Sequence, residues 1–421
     1  MTHWDPKPPT DSPLGDRAVP LDGDHLVGKR IALLVTGGIA AMKAPLLARA
    51  LRRQGAEVTP FISDEGLRYC TADSLAWSCA RAAVTRLTPE SEHLSDGERF
   101  DAYLIAPATY NTINKIACGI ADGVITATMA SALGRLERGE CAVLVCPTMH
   151  GSMHTKILTE SLERLQRFGV QVVAPRDEYG KHNLPDPEPI VAAVCAATSA
   201  SPLKGRAFLV TGGPVATALD DVRRLSSPFT GALGIEIARE LALCGADPTL
   251  LLGSGSHPAP AWLNPQVVHS IEEYEAAVTR ELSARPYEAA ILSAAVADFA
   301  PTHVRTGKTS SADGPWQVEL RPTRKVINEV HRAHPRLEIV GFKYETGISH
   351  DALMRIACER AAEHGACVAN RAEESPLGGE QVAWLVARGH EPRRLVGKPA
   401  IARAIRVHLE HQSATHRRAH S

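Results

Sequence analysis

Short apolar runs alternate along the chain with segments whose apolar residues recur every three or four positions. In the first half the runs are Ile31–Thr36, Glu57–Ile62, Asp101–Ala106, Cys141–Cys146 and Val170–Ala174. Helical periodicity lies between them at Ala40–Gln54, Thr112–Ala121 and Thr155–Phe168. Such runs predict strands buried on both faces, and their alternation with helices predicts a parallel sheet covered by helices. The second half restarts the pattern, with strands predicted at Arg206–Thr211, Pro248–Leu252, Ala289–Ser293, Glu338–Phe342, Ala366–Asn370 and Val382–Val386. Its helices are expected at Gly231–Cys244, Ile271–Ala284, His350–His364 and Pro399–Glu410. A small, polar, proline-containing stretch, Ala196–Lys204, reads as a linker. The expected fold class is therefore α/β, with two tandem doubly wound, Rossmann-like domains over 29–195 and 205–412. Residues 1–28 read as a mobile leader and 413–421 as a tail.

Both halves open on the same phrase. The first strand ends in Thr36-Gly37-Gly38-Ile39-Ala40, and the strand near the middle ends in Thr211-Gly212-Gly213. A glycine turn that leads straight into a helix exposes backbone N–H groups to a phosphate. It also serves an ordinary tight βα connection. After the second turn the helical pattern resumes only at about Gly231.

Composition narrows the partners. Charged residues make up 22% of the 421, and the formal net charge is −1. That balance gives no global attraction to nucleic acid or to a membrane surface. No run is apolar for long enough to span a bilayer, and the Pro/Asp-rich first segment has no secretory apolar region. Nine scattered cysteines without a C-x-x-C pair fit a reduced, cytoplasmic protein and give no metal site from side chains. His408, His411, His416 and His420 are expected on a solvated helix end.

Three segments of the first half carry chemistry. They are the turn Thr36–Ala41, the segment Ala106-Pro107-Ala108-Thr109-Tyr110-Asn111 after its strand, and Pro147-Thr148-Met149-His150-Gly151-Ser152-Met153 after the next. Hydroxyls, amides and small residues at the carboxyl ends of parallel strands are where ligands bind in open α/β sheets. His93 stands just before the strand that begins at Asp101. These segments resemble the homo-oligomeric flavin-containing cysteine decarboxylases over most of Lys29–Val194. The resemblance implies FMN held by Thr36, Gly37, Gly38, Ile39, Ala40, Ser63, Ala106, Pro107, Ala108 and Thr109. It implies His93 as the acid–base group, and Asn111, Met149, His150 and Met153 as the substrate-binding set. His150 replaces the family's usual asparagine. The family's lid cysteine has no counterpart in Arg176–Pro185. Release of an oxidised enethiol product is then expected, unless Tyr179, His182 or a cysteine from elsewhere donates the missing proton.

The second half combines Thr211–Pro214, Gly231–Gly234, Ser293–Asp298, Gly307-Lys308, Lys325, Gly341-Phe342-Lys343, Val368-Ala369-Asn370 and Lys398. Glycines beside several lysines suit a triphosphate. This set resembles phosphopantothenate–cysteine ligase over Lys204–Glu410. The resemblance implies CTP, or another nucleoside triphosphate, with Mg²⁺, and an acyl-nucleotide attacked by cysteine. It assigns Lys308 as catalytic. Nucleotide contacts fall on Gly212, Gly213, Ser227, Ala294, Ala295, Asp298, Lys325, Phe342, Lys343 and Asn370. Ser227 stands where that family carries asparagine, and Phe229 where it carries serine.

A flavoprotein domain followed by a ligase domain is the order of the fused enzymes of coenzyme A biosynthesis. The expected partners are small-molecule substrates, namely 4′-phosphopantothenate and cysteine or analogues. The expected assembly is a homo-oligomer with trimeric flavin domains and dimeric ligase domains. Two other readings stay open. One is a specialised-metabolism paralogue performing amide ligation and oxidative decarboxylation on other substrates. The other is a regulatory flavoprotein without catalysis, against which the presence of His93 and Lys308 argues.

Overall fold

A computed structural model describes residues 6–8, 10–94, 99–375 and 379–420. It divides into two units, Met1–Ser199 and Ala200–Ser421.

In the first unit the strands are β1 (Arg30–Val35), β2 (Glu57–Ile62), β3 (Ala102–Ala108), β4 (Ala142–Pro147), β5 (Met149–His150), β6 (Gln171–Val172), β7 (Arg176–Glu178) and β8 (Lys181–Asn183). The helices are α1 (Ala44–Arg53), α2 (Asp64–Leu67), α3 (Ala72–Cys79), α4 (Tyr110–Ala117), α5 (Val124–Glu137), α6 (Lys156–Arg167) and α7 (Pro187–Thr198). The main sheet is parallel, in the order β2-β1-β3-β4-β6. Its central strands are buried along almost their whole length, as their unbroken apolar sequence requires. A second, three-stranded sheet joins the short strands in the order β5-β8-β7.

Several sequence expectations change. The leader is packed from Arg17 onward. The N–H groups of Asp22 and Leu26 donate to the carbonyls of Arg53 and Gln54, and Arg52 and Arg49 donate to the carbonyls of Arg17 and Ala18. The physical reason is that the last carbonyls of α1 have no partner within the helix, and this polar, turn-rich segment supplies the donors. Leu26 is fully buried beneath it. The expected helix Ala40–Gln54 begins instead as a 3₁₀ turn, Ile39–Lys43, with α1 following. Helix α5 went unassigned because its buried side includes threonines, alanine and Arg135, which blur the period. Helix α7 did so because its apolar residues surround it (Ile190, Val191, Ala192, Val194 and Cys195 are all buried), leaving no polar face to mark a period.

The second unit contains β9 (Ala207–Gly212), β10 (Pro214–Val215), β11 (Thr217–Ala218), β12 (Arg224–Leu225), β13 (Asp247–Gly253), β14 (Gln266–Val268), β15 (Ala289–Leu292), β16 (Ala295–Val296), β17 (Phe299–Pro301), β18 (Leu320–Pro322), β19 (Glu338–Glu345), β20 (Gly365–Arg371), β21 (Val382–Ala387) and β22 (Arg393–Val396). Its helices are α8 (Ala232–Leu243), α9 (Ile271–Ala284), α10 (Val326–Ala333), α11 (His350–His364) and α12 (Lys398–His420). Eight strands form the order β14-β13-β9-β15-β19-β20-β21-β22, parallel through β20 and antiparallel at the last two.

The linker is shorter than expected. Ala196–Thr198 close α7, and Leu203 is already buried in the second core against residues such as Phe208 and Ile237. Nor is the tail separate. Helix α12 runs through it, and buried Ser413 donates to Glu288. His408 corrects the solvated reading, because its ring is buried and meets Glu338 at 2.9 Å. The side chains of His416 and His420 lie outside the described residues.

Candidate active sites at two switch points

In an open parallel sheet a crevice forms where successive connections leave in opposite directions. In the first unit β2 lies on one side of β1 and β3 on the other, so this point falls between β1 and β3. Thr36–Gly38 and Pro107–Thr109 are the carboxyl ends of those two strands. In the second unit the same point falls between β9 and β15. It places Gly212 and Gly213 opposite Ser293–Asp298.

One device fixes both crevices. Buried Thr36 donates its hydroxyl to the Pro107 carbonyl at 2.7 Å and accepts the Thr109 N–H at 3.2 Å. Buried Thr211 accepts the N–H of Ala294 and the phenol of Tyr274, each at 3.2 Å. Ser293 returns a bond from its hydroxyl to the Thr211 carbonyl at 2.5 Å. The threonine before each glycine pair is thus a stitch across the crevice.

The first cleft has a volume of about 1150 Å³. Gly37, Gly38, Ile39, Ala40, Ser63, Pro107 and Thr109 line it, together with Asn111, Met149, His150 and Met153. Thr36, Ala106 and Ala108 lie buried behind this wall. Gly37 is demanded by space, since a Cβ there would stand 2.3 Å from the Cβ of Glu65. Ser63 caps α2 by accepting the N–H of Gly66. Thr109 caps α4 in the same way with Thr112. The sequence reading missed Thr85, Arg86, Lys115, Asp122 and the hairpin residues Lys181 and Asn183, which line the cleft together with Tyr110 and His182. Lys115 and Asp122 neutralise each other at 2.6 Å.

His93 does not line this cleft. It sits in a turn following Thr85–Leu87, which does. The turn is held by Glu92, which accepts from the backbone and hydroxyl of Thr88 at 3.0 and 2.6 Å, and by Arg135, which donates to the Leu94 carbonyl at 2.6 Å. Burial raises the Glu92 carboxyl, but the Thr88 bonds outweigh it and leave the group below its ordinary range. His93 Nδ1 is buried and meets no hydrogen-bond partner among the described residues.

The second cleft measures about 480 Å³. It is lined by Gly213, Ser227, Ala294, Ala295, Asp298, Lys325, Phe342, Lys343 and Asn370, with Lys398 and Arg360 added. Gly212 lies beneath it, where a Cβ would come within 3.2 Å of the Cα of Gly234. Helix α8, distant from the turn in sequence, packs directly on it, so the hairpin excursion β10–β12 hides a strand–turn–helix unit. Lys325 pairs with Asp298, and Lys343 with Glu345 at 2.7 Å. Ser227 Oγ is buried and has no partner among the described residues. Phe229 and Tyr344 meet edge to face at 5.3 Å on the cleft wall.

Lys308 is not brought into this cleft. It is exposed on a loop tied to buried Asp220, which accepts the N–H groups of Thr309, Val222 and Arg223 and the Arg223 guanidinium. Burial raises that carboxyl, but the N–H bonds outweigh it and hold it far below the carboxylate range. Asp221 secures the same loop by accepting the Gly307 N–H at 2.7 Å.

The Flavoprotein family matches residues 22–199, and the C-terminal domain of the DNA/pantothenate metabolism flavoproteins matches residues 203–411. The chain is 34% identical over 346 residues to the coenzyme A biosynthesis bifunctional protein CoaBC of Thermococcus kodakarensis, covering 81% of this chain and 84% of that protein. It is 28% identical over 375 residues to the protein of the same name from Methanocaldococcus jannaschii, covering 88% and 91%. It is also similar to a cysteine/cysteine sulfinic acid decarboxylase of an unidentified prokaryote, 33% identical over 274 residues, which cover 61% of this chain and 73% of that one. Among the described residues no helix is long and apolar enough to cross a membrane.

Proposed function

The chain belongs to the bifunctional coenzyme A biosynthesis proteins, a Flavoprotein unit followed by a DNA/pantothenate metabolism flavoprotein C-terminal unit, and on that premise we propose that it joins 4′-phosphopantothenate to cysteine and decarboxylates the product. The observation that carries this reading is that each glycine turn lies at a switch point, with most of the motif residues other than His93 and Lys308 converging on the cleft there.

The first cleft fits FMN. The open space beside Gly38, the hydroxyls of Ser63, Thr85 and Thr109, and the Arg86 guanidinium suit a phosphate. Ile39, Pro107, Val124 and Ile125 offer an apolar wall for a flat ring. FMN would supply the two-electron oxidation of the substrate thiol that makes carboxylate loss possible. Met149, Met153, Asn111 and His150 would hold the substrate. His93, with its unpartnered nitrogen, is the proposed acid–base group.

The second cleft would take CTP or another nucleoside triphosphate with Mg²⁺. Backbone at Gly212, Gly213, Ala294 and Ala295 allows close approach, while Lys325, Lys343 and the anchored Lys308 would offset phosphate charge. Ser227, Asp298, Phe342 and Asn370 complete the proposed nucleotide set. Exposed Ile39 and Met42 of the 3₁₀ turn and Leu46 of α1 leave apolar surface close together in the chain, which supports a homo-oligomeric flavin unit. Unpaired cysteines support a reducing, cytoplasmic setting.

The test is incubation of the purified protein with 4′-phosphopantothenate, cysteine and CTP, read by mass spectrometry. Phosphopantothenoylcysteine and its decarboxylated product are expected, and the absence of both overturns the reading. A paralogue acting on other substrates is favoured by one feature, the Phe229–Tyr344 pair, which gives the second cleft an aromatic wall. Ligation of other acids in preference to phosphopantothenate would support that alternative.

A fragment starting at Ala200 retains the whole second core and is expected to fold and to bind CTP by itself. In that fragment Lys308→Gln is expected to slow pyrophosphate release by about 10²–10³-fold through lost charge stabilisation. An unchanged rate removes Lys308 from the reaction.

A further inference from the structure

The hairpin formed by β7 and β8 carries a chain of polar side chains along the first cleft. Asp177 Oδ1 meets His182 Nδ1 at 2.6 Å. His182 Nε2 meets His154 Nδ1 at 2.7 Å, and His154 Nε2 meets the Thr159 hydroxyl at 3.2 Å. A carboxylate only accepts, so His182 Nδ1 carries a proton. Two ring nitrogens at 2.7 Å hold one more proton between them. Strand β8 pairs with β5 so that His182 lies opposite Met149, and both line the cleft.

We propose that Asp177, His182 and His154 form a proton relay that protonates the ligand at the Met149 end of this cleft. The proposal rests on the decarboxylase reading above. It settles which group acts where the sequence leaves Tyr179, His182 and a remote cysteine open. Tyr179 occupies the hairpin tip, is 92% exposed and does not line the cleft. None of the nine cysteines lines it either. His150 also lines the cleft, but among the described residues its Nδ1 meets only Ser152 of its own turn, at 2.8 Å from the hydroxyl, so it has no carboxylate-and-base pair behind it to return a proton. His182 alone is backed by a carboxylate on one nitrogen and a second base on the other. Asp177 fixes the Nδ1–H tautomer of His182, the proton shared at Nε2 is the one given up, and the ligand takes the place of His154 at that nitrogen during transfer. His154, backed by Thr159, then re-forms the bond and restores the proton.

Loss of CO₂ leaves an enethiolate. The sulfur lone pair closes C=S while the C=C pair takes the His182 proton at the carbon remote from sulfur. Bound FMN, reduced in the oxidative half, would supply the hydride that converts the resulting thioaldehyde to the saturated thiolate.

The test uses the full-length FMN-loaded protein and phosphopantothenoylcysteine in a single anaerobic turnover. Wild type is expected to give the saturated aminothiol and oxidised flavin. His182→Gln is expected to release CO₂ as wild type does, to keep its flavin reduced, and to form product lighter by two hydrogens. The saturated product should fall by at least about 10²-fold. A readout without substrate is the histidine proton NMR spectrum, in which one low-field shared-proton resonance should vanish in both His182→Gln and His154→Gln. Saturated product at the wild-type rate from His182→Gln overturns the relay, as does a wild type that yields only the dehydrogenated product. No CO₂ from any form overturns the decarboxylase reading itself, and the relay's role with it.

Discussion

Gly38→Asp is expected to yield a colourless protein that unfolds at the temperature of FMN-free wild type. Gly38 has an extended backbone, φ −161°, which any residue adopts. A Cβ added there approaches only the Thr109 methyl, at 3.5 Å, an ordinary contact. The fold therefore tolerates the change, and the new carboxylate enters the cleft where the phosphate is proposed to lie. Two like charges roughly 4 Å apart at an effective dielectric of 20 repel by about 4 kcal/mol, close to three orders of magnitude in affinity. Flavin absorbance after addition of excess FMN, with a melting curve on the same sample, checks this. Gly38→Ala, which adds no charge, should stay yellow. A Gly38→Asp protein that binds FMN as wild type does removes the phosphate from this turn.

The second large effect concerns His93. His93→Asn is expected to lower decarboxylation by about 10²–10⁴-fold while the protein remains yellow. The turn that carries His93 is braced by Glu92 with Thr88 and by Arg135, and none of these bonds uses the imidazole. The substitution therefore removes a proton-handling group and leaves its support in place. The rate of CO₂ release at matched flavin occupancy is the measurement. A loss smaller than tenfold would mean that His93 fills space and that the catalytic group is one of the residues lining the cleft.

Much of the fold could be read from the chain because the strands are buried on both faces. An unbroken apolar run such as Ala32–Val35 has no other stable place than the middle of a covered sheet. Helices with one apolar stripe, such as Ile271–Ala284, were equally legible. Helices whose buried side is small or polar, as in α5, leave no such period. The glycine turns were legible because a strand must end where backbone approaches backbone. Their partners across the crevice were not, since a switch point is a property of strand order. The hairpin of β7 and β8 escaped for a different reason. Arg176–Asn183 is charged and exposed along most of its length, so nothing in it alternates. Only its pairing with β5 turns His182 into a residue of the cleft. Lys308 and His93 illustrate the reverse case. Each stands in a recognisable motif, yet each lies on a braced loop outside the cleft that its motif predicts.

The threonine stitches divide the labour of the two crevices. Thr36 commits its hydroxyl proton to Pro107 and a lone pair to Thr109, and Thr211 receives two donors. Neither reads a ligand; both set the gap into which one fits. Recognition is left to segments attached outside the stitches, the hairpin Arg176–Asn183 in one unit and Ser226–Thr230 in the other. Most of the departures from the motifs that the sequence resemblance implies fall in those segments, no thiol in the first and serine and phenylalanine in the second, while His150 lies on β5 and pairs with the hairpin. New substrates can thus be explored by exchanging a peripheral loop while the anchor for the phosphate stays untouched. The architecture behaves as a fixed socket with an interchangeable faceplate, installed twice in one chain.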